Sequence, residues 1–222
     1  MPASVIHSVR TLAALLPLAG ALALLAPEPA AAKALFEAVE VDQSKFVIVA
    51  APIGDGSRAQ LNIYEQRTAA RPCYAVQGSN PAVVDPLLST FDFTGICNRF
   101  IDGNGYSLRI GDSDLGTVYR LSVVKESGDT LLMALPTKPG AGPELVVARS
   151  GGTANGFLLL VPEPGWKLMR RQFGGRALGH LYLYRDGWPE AGSQPGVSAV
   201  PAAVPVPVPV QVLGQPSTTS RR

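Results

Sequence analysis

The chain has 222 residues, a formal net charge of +2 and a hydrophobic fraction of 46%. So small a charge excess argues against a generic nucleic-acid binder, which should be strongly basic. Two cysteines make no disulfide-dense scaffold, and with no CxxC and His180 as the one histidine beyond residue 32 a Cys/His zinc site lacks partners.

At the N-terminus, His7 and Arg10 precede an uncharged Ala/Leu-rich run over residues 11–26, then Pro27, Glu28, Pro29 and the triplet 30–32 of alanines. These are the parts of a secretory signal peptide, with the cut expected after Ala32. The run, about 16 residues, falls short of the roughly 20 that span a bilayer. The rival reading is an uncleaved anchor, but the prolines would break a permanent helix. The expectation is therefore export by the general secretory route, with no stable membrane span after cleavage. The destination would be the periplasm, the cell envelope or the extracellular space.

Residues 33–190 make one domain's worth of chain, enough to bury a core. Setting aside Arg10, Arg221, Arg222 and Glu28, cations and acids balance there. The segments are short, β-rich and punctuated. Residues 46–50 are stopped by Pro52 and Gly54, and 59–64 alternate, with Leu61 and Ile63 on one face. Residues 73–76 follow Pro72, and 85–91 is the best helical candidate, with Asp85 as N-cap and Pro86 at the first position. Residues 98–101 and 106–110 flank Asp102-Gly103-Asn104-Gly105, a hairpin composition. Residues 118–124 and 130–135 flank a second such turn at 126–129, and segments 145–148, 157–161, 167–173 and 181–184 follow. About eleven short strands with tight turns predict an all-β fold, a sandwich or small barrel. A faint echo relates Gly105-Tyr106-Ser107-Leu108 and Leu115-Gly116-Thr117-Val118-Tyr119 to Gly165-Trp166-Lys167-Leu168 and Leu178-Gly179-His180-Leu181-Tyr182. It reads either as two pseudo-repeated halves or as chance similarity between hairpins.

From residue 191 charge vanishes until Arg221, and 200–210 reads VPAAVPVPVPV. Proline lacks the N–H of a strand ladder, so residues 191–222 are expected to be a disordered, polyproline-like tail. Cys73 and Cys97, an isolated pair in an exported chain, are expected to form a disulfide. Closing that loop would stabilise the fold by about 3–4 kcal/mol.

Four strings carry a family resemblance: FEAVEVDQSKF (36–46), RPCYAV (71–76), FTGICNRFIDGNGYSLR (93–109) and GHLYLYRD (179–186). They resemble an uncharacterised family of secreted cyanobacterial proteins, known as a domain of unknown function, and cover most of residues 34–188. The resemblance implies an exported protein from such an organism. It implies no reaction and assigns no functional residue.

Residues with catalytic or metal-binding chemistry are sparse. His180 has no nucleophile elbow to serve, and reads as structural. Glu163, between Pro162 and Pro164 and near Trp166, is the acid to inspect for sugar chemistry, with a solvated turn as the plainer reading. Asp102 and Asn104 resemble part of a calcium loop, but Ser113 stands at the twelfth position. A strand at 106–110 would hold them about 17 Å from Asp112 and Asp114. No metal, cofactor or catalytic residue is expected. Residues 165–185 hold Lys167, Arg170, Arg171, Arg176 and Arg185 with no acid, while Glu37, Glu40 and Asp42 form an acidic patch elsewhere. Lys167, Arg170, Arg171 and Arg176, with Trp166 and Tyr182, are the expected binding residues. Arginine forks suit carboxylates and rings stack on sugars; alternatively these arginines pair with acids on neighbouring strands. The expectation is a non-catalytic envelope or extracellular module that binds an anionic polysaccharide or an envelope protein, with a secreted hydrolase as the alternative.

Overall fold

The structure, a computed structural model, describes residues 35–189. The expected leader and the Pro/Val tail lie outside them. Among the described residues there are strands and two 3-10 turns but no α-helix. β1 (Glu37–Glu40) leads into a long hairpin of β2 (Phe46–Ile53) and β3 (Arg58–Gln66). The short β4 (Ala75–Gln77) and β5 (Val83–Asp85) pair with each other, and β6 (Cys97–Phe100) returns to β3. β7 (Tyr106–Ile110) and β8 (Ser113–Asp114) precede a meander of β9 (Tyr119–Glu126), β10 (Asp129–Pro136) and β11 (Leu145–Arg149). β12 (Phe157–Leu159), β13 (Val161–Pro162), β14 (Lys167–Phe173) and β15 (Arg176–Arg185) complete the chain.

These strands form three sheets, ordered β1-β14-β15-β7-β8, β13-β11-β10-β9 and β4-β5-β12-β2-β3-β6. The sheets curl into half-barrels, the all-β architecture expected from the turn spacing. Their inner faces share one core: Ile48, Leu61 and Ile63 meet Leu108, Leu168, Leu181 and Leu183, closed by Leu132, Leu145 and Val147. The six-stranded sheet is buried on both faces, which explains the unbroken apolar run of β2. Its outer face packs Val47, Val49 and Tyr64 under the excursion from Arg67 to Ile96, through Val84, Leu88 and the Cys73–Cys97 disulfide.

Several local expectations are corrected. The turn at 102–105 closes no hairpin; it carries the chain from β6 in one sheet to β7 in another, where β7 pairs in parallel with β15. Residues 157–161 are two strands in two sheets, divided at buried Leu160, whose N–H bonds Ile48 (2.8 Å). The helical candidate is a single 3-10 turn, Leu87–Thr90, preceded by Pro86 with no side-chain cap, and Asp85 ends β5. β2 runs past Pro52, which β2 tolerates because β12 reaches only Val49 and Ala50. The echo is not structural: its second copy is the β14–β15 hairpin, while Leu115 to Val118 in the first is a turn between sheets.

Candidate functional site

The expected arginine face is closed. β14 lies inside its sheet between β1 and β15, and acids from β1, β3 and β8 reach its cations. Lys167 meets Glu40 (3.1 Å), Arg170 meets Glu65 (2.7 Å) and Arg171 meets Asp114 (2.7 Å). The acidic patch is thereby divided: β1 brings Glu40 beside the basic strand, and Asp42 instead caps the 3-10 turn through the Ser44 N–H (3.1 Å). Two residues beyond Leu168, Arg170 shares its core-facing side of the strand and lies over the rings of Phe46 and Phe100 (5.8 and 5.6 Å). Arg176 stands at the exposed hairpin tip opposite Phe173. Trp166 is 7% exposed and Tyr182 0%, so neither ring offers a stacking face.

What the strands assemble there is a polar relay. His180 on β15 bonds the Asn104 carbonyl through Nδ1 and Ser107 Oγ on β7 through Nε2, both at 2.8 Å. A carbonyl only accepts, so Nδ1 carries the proton and the serine hydroxyl donates to Nε2. Arg171 reaches Ser107 Oγ (3.4 Å) and donates to the Tyr182 hydroxyl (2.7 Å), which donates to Asp114 (2.8 Å). Burial, assisted by the Arg171 charge, lowers the His180 pKa against the pull of the Asn104 carbonyl, and burial and the Asp114 bond raise that of Tyr182. A serine–histidine pair is the grammar of a nucleophile. Here Ser107 and His180 are 8% and 6% exposed, and a side chain at Gly116 would press on Ser107 Cβ (3.1 Å). The hydroxyl is thus enclosed and fully bonded, as a structural member would be. Polar Ser107 and Arg109 alternating with Leu108 and Ile110 were visible in sequence; the parallel pairing that brings Ser107 to His180 was not.

Besides Arg176, open cationic groups lie on the disulfide-pinned excursion and on β6 beside it. Gln66 organises it: its amide donates to the Thr68 and Arg71 carbonyls (2.5 and 2.8 Å) and its Oε1 accepts from the Cys73 N–H (2.8 Å). The Arg67 and Thr68 N–H groups bond Ile96 (2.9 and 3.3 Å). Arg71 then lies over the Phe91 ring at 4.2 Å and Arg99 over Phe93 at 5.7 Å. The two rings are two residues apart, about 7 Å of extended chain. Arg67, Arg71 and Arg99 are exposed and, among the described residues, none meets a carboxylate. Asp92, between the rings, turns back to Thr94, whose hydroxyl first and whose N–H (3.0 Å) second lower its pKa.

A cavity of about 360 Å³ opens beside Arg99, where β6 turns into 101–105, lined also by Asn98, Ile101, Asp102, Asn104 and Gly179. The other candidates are engaged elsewhere. Glu163 pairs with Arg149, which also meets Asp129 (3.4 Å). Asp102 caps the N–H groups of Asn104 and Gly105 (2.9 and 3.3 Å). Asp114 holds Arg171, Tyr182 and the Gly116 N–H, and Asp112 is exposed beside Arg109 (3.8 Å).

No curated protein and no solved structure matches the chain. One family model does, over residues 11–188, most of the sequence. The chain belongs to the family described as protein of unknown function (DUF3747).

Proposed function

We propose that this protein is an exported, non-catalytic module of the cell envelope or extracellular space that holds an anionic polysaccharide. In this reading residues 1–32 are a cleaved leader, 33–190 the binding domain and 191–222 a spacer, and the source is a cyanobacterium. The observation that carries it is the set of Arg67, Arg71 and Arg99: exposed, without acid partners, two of them braced over phenyl rings. A guanidinium held over a ring keeps its N–H edge for a ligand, and Arg forks fit carboxylates in pairs. The disulfide in the same excursion fixes their spacing and accords with an oxidising compartment. The polar relay lends no support to hydrolysis, because its serine is enclosed.

The test is retention of the full chain on immobilised alginate, with neutral dextran as control. Salt-sensitive retention on alginate alone is expected, weakened about tenfold or more when Arg67, Arg71 and Arg99 are replaced together by Gln. Retention unchanged in that triple variant would remove the proposal.

A further inference from the structure

We infer that the cavity beside Arg99 is a subsite for a single hexuronate unit, an inference that rests on the anionic-polysaccharide reading. At about 360 Å³ it lies at the small end of ligand clefts, sized for a sugar rather than a large cofactor. Its lining has the mixed character a sugar acid requires. Arg99, the one cation on its wall, supplies a fork for the carboxylate. Asn104 supplies amide groups for hydroxyls: its backbone carbonyl is taken by His180, but its side chain makes no bond to any described residue. Asp102 uses one oxygen on the turn and leaves the other to accept from a hydroxyl. Ile101, 39% exposed, gives an apolar face for the C–H side of the ring.

Gly179 is the further sign. It lies where the register of β15 with β14 shifts and lines the cavity, and a Cβ added there would meet nothing within 4 Å, so the wall is open at that point. The cavity also adjoins the rim, since Arg99 belongs to both. A polymer lying across Arg71 and Arg99 can therefore present one unit to the pocket while its neighbours meet the arginines.

The experiment is an NMR titration of the full chain with sodium glucuronate and, separately, glucose, following the amides of Gly105 and Gly179, with alginate retention measured alongside. Saturable shifts at those amides with glucuronate, and much smaller ones with glucose, are expected. Asn104→Ala should weaken glucuronate binding about fivefold, the loss of one hydrogen bond, while alginate retention through the rim persists. Equal shifts with both sugars would overturn the role of Arg99. No shifts at these amides, with alginate still retained, would overturn the subsite and leave the rim standing. Loss of both would remove both.

Discussion

Arg170 and Glu65 meet at 2.7 Å across the seam between two sheets, 105 residues apart in sequence. Glu65 also accepts from Asn98 (2.7 Å), and both partners of the ion pair are largely buried. One of the arginines expected to bind a ligand is thus a fastener. Arg170→Gln should lower stability by about 2–3 kcal/mol, because it leaves a shielded carboxylate short of a partner. Denaturant unfolding measures this, and alginate retention should not change. A neutral effect on stability would contradict the assignment.

The relay around His180 ties stability to pH. Burial lowers its folded-state pKa below the ordinary 6.5, so the unfolded chain binds more protons in the interval between the two values. Stability should therefore be full above about pH 6.5 and fall as the pH drops toward the folded pKa. Comparing denaturant unfolding at pH 7.5 and 5.5 for the wild type and His180→Gln isolates this contribution. The variant should be less stable at pH 7.5 and should lose less on acidification.

Tyr182→Phe keeps the buried ring and removes only the hydroxyl between Arg171 and Asp114. A loss of about 1–2 kcal/mol is expected. The ion pair between Arg171 and Asp114 remains, so the fold should survive, as a thermal melt would show.

The enclosed Ser107 should be inert. A fluorophosphonate probe incubated with the full chain is expected to leave its intact mass unchanged. A single adduct on Ser107 would revive the hydrolase reading.

Replacing Cys73 and Cys97 together by Ser should lower stability by about 2–4 kcal/mol. It should also weaken alginate retention under conditions where the fold persists. The bridge and Gln66 hold the excursion that carries Arg71 and the rings of Phe91 and Phe93. Wild-type retention in the double variant would show that the rim needs no such bracing.

The sequence was readable where structure is local. Tyr106–Ile110 and Lys167–Phe173 stand as expected, because glycine-bearing turns bound them. The β9–β10 hairpin follows from Ser127-Gly128 between alternating runs. Long-range relations were not readable. A turn at 102–105 looks the same whether the chain folds back on its own sheet or passes to the next. The charge run of β14 could be weighed only once β1, β3 and β8 had brought their acids to it. The arginine rim is not legible in the sequence because Arg67, Arg71 and Arg99 are scattered; the disulfide, the Gln66 bonds and the β3–β6 register set where each stands.

The parallel pairing of β7 with β15 has one more consequence. β15 lies inside its sheet, between β14 and β7, and β14 is also the partner of β1. Among the described strands the first, β1, therefore waits for β14, Lys167–Phe173, before it has a neighbour. Contacts this distant form late. A chain emerging N-terminus first cannot complete this layer until residues near 185 are free. For a protein handed across a membrane, as we propose, that delay works in its favour: the strand order postpones closure of this sheet until residues near 185 have emerged.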